Sequence, residues 1–219
     1  MIRLIIFDLD GTLVNSIFDL ANAVNSALND MGFPVHEVKE FYQFVGNGTI
    51  MLAKRALPEG NRTDNEVNRL HTLFAKNYQE CCLDKTRPYD SIVDTVNKLK
   101  EKHKFKLAVA SNKTDIFAKH IVDSLFGKDT FDAVVGKNDA TPAKPDPTMI
   151  FDVMERFGID KSEVIFVGDS NVDVATAHNA GIKCIGCEWG FRGRDELLKA
   201  GADYIIDTPQ KIIDITRDL

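Results

Sequence analysis

The sequence holds no apolar run near the ~18 residues of a membrane-spanning helix, so no segment reads as transmembrane. Its apolar start, Met1 to Phe7, is shorter than a secretory h-region and runs into Asp8 and Asp10 without a small-residue cleavage site. The expected compartment is the cytoplasm. Cysteine is scarce, four in 219 residues with Cys81 and Cys82 adjacent, which is a poor disulfide framework. Cys184-Ile185-Gly186-Cys187 has C-x-x-C spacing, but no second pair exists and Cys184 lies in an apolar run, so burial is the expected use. A basic excess is also missing: 27 Lys and Arg stand against 33 Asp and Glu, a net charge of −6, with no positive blocks. Nucleic acid and anionic membrane are not expected partners, and any anionic ligand must be held by local groups. With 44% hydrophobic and 27% charged residues, the composition is that of a globular protein with a sizeable core.

Short, nearly continuous apolar runs recur at Leu4–Phe7, Leu107–Ala110, Ala133–Val135, Val164–Val167, Cys184–Ile185 and Tyr204–Ile206. Such runs suit strands buried on both faces. Helical spacing separates them: Ile92, Val93, Val96 and Leu99; Phe117, Ile121 and Leu125; Ile150, Val153, Met154 and Phe157; Val172, Ala175 and Ala180. The alternation predicts an α/β fold, a Rossmann-like parallel sheet with helices on both faces. From about Ser16 to Lys85 the pattern is purely helical, with stripes at Leu20–Met31, Met51–Ala56 and Leu70–Tyr78 broken by Gly32-Phe33-Pro34 and Pro58-Glu59-Gly60. The expected organisation is a catalytic core of residues 1–15 and 86–219, with an all-helical cap of residues 16–85 inserted after the first strand.

In open parallel sheets ligands bind beyond the carboxyl ends of the strands. Those positions are polar here: Asp8-Leu9-Asp10-Gly11-Thr12 after the first strand, Ser111-Asn112-Lys113 after the second core strand, and Gly168-Asp169-Ser170 with Asp173 after the Val164–Val167 strand. Lys144-Pro145 lies between the last two. Asp8 and Asp10 are two apart and can face one reacting group. Two carboxylates sharing a site have their pKa values pushed apart, which suits a nucleophile beside a general acid. Gly11 permits a tight turn that brings backbone N–H groups toward an anion.

Taken in order, these four segments resemble the motifs of the haloacid dehalogenase superfamily, and a helical insertion after the first motif is similar to that family's first cap class. The resemblance implies that Asp8 attacks phosphorus to give an aspartyl-phosphate, and that Asp10 protonates the leaving oxygen and then serves as base for the hydrolytic water. It implies a Mg²⁺ cofactor held by Asp8, Asp169 and the Asp10 carbonyl, with Asp173 reaching the ion directly or through water. Lys144 would neutralise the transferring group, and Gly11, Thr12, Ser111 and Asn112 would bind its oxygens. The second Asp of the first motif argues against dehalogenase chemistry.

In the cap, Gly46-Asn47-Gly48 opens a predicted helix and exposes backbone N–H groups suited to a carboxylate. Val45-Gly46-Asn47-Gly48 followed by Arg55-Ala56-Leu57, together with Trp189-Gly190 and Ala200-Gly201-Ala202-Asp203-Tyr204, looks like the phosphoglycolate phosphatase branch. Asn15, where many relatives carry Asp, and Arg192 and Arg194 depart from it. A small phosphate ester is the expected partner, 2-phosphoglycolate first among them, for a monomer or homodimer. The alternatives are a broad-specificity phosphatase acting on sugar phosphates, nucleotides or pyrophosphate, and a phosphomutase, which would need groups for a second phosphate. A receiver-type switch would lack both the cap and Asp10.

Overall fold

The computed structural model describes residues 1–138 and 140–219. Six parallel strands form the central sheet: β1 (Leu4–Phe7), β4 (Lys106–Thr114), β5 (Ala133–Lys137), β6 (Val164–Gly168), β7 (Lys183–Cys187) and β8 (Tyr204–Ile206), in the order β5-β4-β1-β6-β7-β8. β1 is central because it is apolar throughout and can be buried on both faces: Leu4 pairs with Lys106 on one side and Val164 on the other. Its residues alternate between two cores, as the strand period requires. Ile5 and Phe7 join Val96 of α5 (Ile92–Asn97), Ile121 of α6 (Asp115–Phe126) and Ile212 of α10 (Lys211–Asp218). Leu4 and Ile6 join Ile150 of α7 (Thr148–Phe157), Val174 of α8 (Asn171–Ala180) and Leu197 of α9 (Gly193–Ala200).

Between two short antiparallel strands, β2 (Val14–Asn15) and β3 (Arg87–Pro88), lie four helices: α1 (Ile17–Asp30), α2 (Val38–Phe44), α3 (Thr49–Ala56) and α4 (Asp64–Cys81). α4 packs on α1 and α3. The buried Asp19 carboxylate fixes the returning chain, accepting from the amides of Lys85 and Thr86 and from the Thr86 hydroxyl. Among the described residues no helix is long and apolar enough to cross a membrane.

The differences from the sequence reading have local causes. α2 buries only Phe41 fully and is held by a Glu37/Glu40 capping box, so it has no apolar stripe to read. The two-residue strands β2 and β3 are too short to show a period. β4 extends through Ser111, Asn112 and Lys113, which were expected beyond its end, because β5 continues the pairing to Gly136 and Lys137 with a register shift between Ser111 and Thr114. Cys184 and Cys187 are free, buried thiols of β7, and burial pushes both well up, so they serve packing.

Candidate active site

Asp8 leaves the end of β1 with its amide on the Val167 carbonyl. Lys144 Nζ lies 2.8 Å from Asp8 Oδ1 and 2.7 Å from Asp173 Oδ1. Asp8 Oδ1 is buried, and its close polar neighbour among the described residues is that ammonium. Burial pushes the Asp8 carboxyl up to about 6 despite the opposing pull of Lys144. Burial, then Asp173 and Asp8, push Asp169 well above the carboxylate range. Burial opposes the charge of Lys144, yet Asp173 and Asp8 hold its ammonium above its usual range.

Asp8, Asp169 and Asp173 each offer an oxygen within 4.8 Å of the others. Three buried carboxylates face one ammonium, an excess of negative charge that a low-dielectric pocket does not tolerate alone. That excess of charge and an all-oxygen donor set fit a hard divalent cation such as Mg²⁺. Asp173 is otherwise engaged: its second oxygen accepts from the Ser170 hydroxyl and from the amides of Asp169 and Ser170. Asp169 Oδ2 accepts from the Phe191 amide at 2.7 Å. Gly11, at φ +88°, is required because a Cβ there would run into the Asp169 carboxylate.

Asp10 faces the other way. Lys113 Nζ lies 3.0 and 3.1 Å from its two oxygens, and the Ser16 hydroxyl donates to one of them. Lys113 is almost fully buried, with its ammonium 4.6 Å from the centre of the Tyr78 ring on α4. The sequence reading gave Lys113 and Ser16 no role. Period two from Ser111 would have placed Lys113 on the same side of the strand.

A cavity of about 40 Å³ lies between core and helical insertion, lined by Asp8, Asp10, Ser111, Asn112 and Lys113 below and by Leu20, Val45, Gly46, Gly48, Thr49 and Leu52 above. Lys144, Asp169 and Asp173 are not among the residues that line it, and reach it through Asp8. The Gly11 and Thr12 amides, expected to face an anion, instead close the turn onto Val14 and Leu9 carbonyls, and the Thr12 hydroxyl points to Asp169 at 3.5 Å. The Asn112 side chain clamps Lys144, accepting from its amide at 2.7 Å and donating to its carbonyl at 3.1 Å, and also donates to the Gly46 carbonyl at 3.0 Å. Asn47 does not line the cavity, since its Oδ1 accepts from Arg55 at 2.7 Å.

Four successive carbonyls, from the end of α2 into the loop before α3, are occupied: Gln43 and Phe44 by Arg55, Val45 by Arg192, and Gly46 by Asn112. The loop thus presents few free acceptors to an anion, and two guanidiniums stand behind it. Arg192, one of the departures from the branch pattern, is a tie between core and insertion, also donating to the Gln43 side chain at 2.9 Å. Arg194 pairs with Glu188.

The family model of haloacid dehalogenase-like hydrolases matches residues 5–187. A phosphoglycolate phosphatase of Pseudomonas fluorescens is 34% identical over 96% of this chain and 78% of its own, and one of Haemophilus influenzae is 33% identical over 97% of both. The crystal structure of a predicted phosphoglycolate phosphatase from Haemophilus somnus superposes with a TM-score of 0.91 at 31% identity, covering 98% of each chain. A match along most of the sequence, on a parallel sheet with the acidic motifs at its carboxyl edge, shows that the chain belongs to the haloacid dehalogenase-like hydrolases.

Proposed function

We propose that this hydrolase cleaves a small phosphate monoester, 2-phosphoglycolate foremost, through a phosphorylated Asp8. The observation that carries the reading is Asp8 itself: a buried carboxylate at the strand end, paired with the Lys144 ammonium and opening onto a cavity that also holds Asp10. Asp8 attacks phosphorus as the ester oxygen departs, and Asp10 gives that oxygen its proton. Asp10 then takes a proton from the water that attacks the phosphorylated Asp8, releasing phosphate and restoring the carboxylate.

Lys144 spends two ammonium directions on Asp8 and Asp173 and has a third for a phosphoryl oxygen. The Ser111 hydroxyl adds a donor, as do the Leu9 and Asp10 amides, for which no backbone acceptor is found among the described residues. Asn112 acts by holding Lys144 and the cap loop in place. Asp8, Asp169 and the Asp10 carbonyl would hold Mg²⁺, with Asp173 orienting Lys144 beside it. The ion supplies charge neutralisation of the phosphoryl oxygens.

Residues 16–85 act as the cap over a core of 1–15 and 86–219, and the cap wall selects the leaving group. The cavity suits a short one, and among the described residues its only lining cation, Lys113, is taken by Asp10. A second phosphate would find no partner there, which disfavours a phosphomutase. A single carboxylate suits the N-terminus of α3 behind Gly48. Relatives named for phosphoglycolate agree with that size and charge. Phosphate release should be measured with and without Mg²⁺ from 2-phosphoglycolate beside hexose phosphates, glycerol phosphates, nucleotides and pyrophosphate. A Mg²⁺-dependent kcat/KM highest for 2-phosphoglycolate supports the reading. Equal rates across the panel would leave a general phosphatase, and no release would end it.

A further inference from the structure

Among the residues lining the cavity, the cap wall contributes glycines, aliphatic side chains and one polar side chain, Thr49. Its hydroxyl is 2.9 Å from Nε2 of His71, which reaches over from α4. Burial pulls the His71 imidazole below its ordinary range, so the ring is neutral near pH 7 and carries one proton. Its ring is tilted 34° to that of Phe74 with centroids 6.4 Å apart, and no charged partner of the ring is found among the described residues. With the proton on Nε2, His71 donates to Thr49 Oγ, and the Thr49 hydroxyl proton is free to point into the cavity. The reverse orientation, Thr49 donating to an unprotonated Nε2, would leave the cap wall with no side-chain donor.

We propose that Thr49 is the side chain that recognises the carboxylate of the leaving group, and that His71 is the positioning residue that turns the Thr49 hydroxyl toward it. The inference rests on the carboxylate-bearing substrate proposed above. It adds a directional O–H donor to the diffuse field of the α3 terminus, on the wall of the same cavity that Asp8 lines. The alternative is a purely structural link between α3 and α4, and it predicts different kinetics.

The test compares 2-phosphoglycolate with ethyl phosphate, which has the same chain length and no carboxylate. Thr49→Val should lower the ratio of the two kcat/KM values by about ten- to a hundredfold, the scale of a hydrogen bond to a charged group, with the loss carried by KM for 2-phosphoglycolate. Thr49→Ser should restore the ratio. His71→Leu should lower it by a smaller factor, and His71→Gln, which can place an N–H where Nε2 lies, should recover part of it. Equal losses on both substrates, or an unchanged ratio in Thr49→Val, would overturn the roles of Thr49 and His71 while leaving the substrate reading intact. A wild-type enzyme that does not prefer the carboxylate ester would overturn both.

Discussion

Replacing Asp8 with Asn should make the metal-free protein more stable. Asp8 is buried with Asp169 and Asp173 around one ammonium, and its carboxyl is raised from 3.8 to about 6 mainly by burial. The folded state therefore binds the Asp8 proton more tightly than the unfolded chain does. Stability falls as pH rises from the unfolded value through about 6, and the whole penalty is present above about pH 7. At about 1.4 kcal/mol for each tenfold in proton affinity, keeping Asp8 ionised costs about 3 kcal/mol. Asn has no such titration but still buries a polar amide, so Asp8→Asn should gain about 1–3 kcal/mol near pH 7.5 and little near pH 4.5. Urea unfolding of both proteins in chelator across that range gives the difference directly, and titrating groups distant from Asp8 cancel in it. A variant less stable than wild type at neutral pH, or a difference that does not change with pH, would refute the charge-crowding argument.

Other consequences follow from the same geometry. Saturating Mg²⁺ at about 100 times its Kd should stabilise the wild type by about 2.7 kcal/mol, and Asp169→Asn should lose most of that gain. Gly11→Ala should lose the Mg²⁺-induced rise in Tm, since its Cβ displaces Asp169; an unchanged rise argues against Asp169 as a ligand. Lys113→Met should lower kcat by at least about a hundredfold by leaving Asp10 without its partner, as expected when an acid–base group is disabled. Steady-state kinetics beside circular dichroism would separate that loss from unfolding. Arg192→Ala removes the tie from the core to the helical insertion at Gln43 and Val45. KM should rise several-fold, about the worth of one or two hydrogen bonds, with kcat less affected.

The sheet was legible because its strands are buried on both faces, so Leu4–Phe7 and Val164–Val167 show as unbroken apolar runs. The acidic constellation was legible because strand ends are where such sheets hold ligands, and the structure gathers Asp8, Asp169 and Asp173 there as the motif spacing implied. What escaped was set by contacts distant in sequence. Lys113 meets Asp10 across 103 positions, Arg192 meets Val45 across 147, and His71 meets Thr49 across 22. No period encodes such pairings. The turn at Gly11 shows a subtler limit: the glycine was correctly read as a tight turn, but which amides that turn consumes depends on the return of Val14 onto Leu9.

The central claim is that Asp8 carries the phosphoryl group. Acid-quenched protein from the early steady state with 2-phosphoglycolate and Mg²⁺ should be digested and analysed by mass spectrometry, with Asp10→Asn included to slow breakdown of the intermediate. One phosphoryl group on the peptide containing Asp8, more abundant in Asp10→Asn and missing in Asp8→Asn, is the predicted result. Turnover with no phosphorylated peptide in either protein, or the phosphoryl group on a residue other than Asp8, would contradict it.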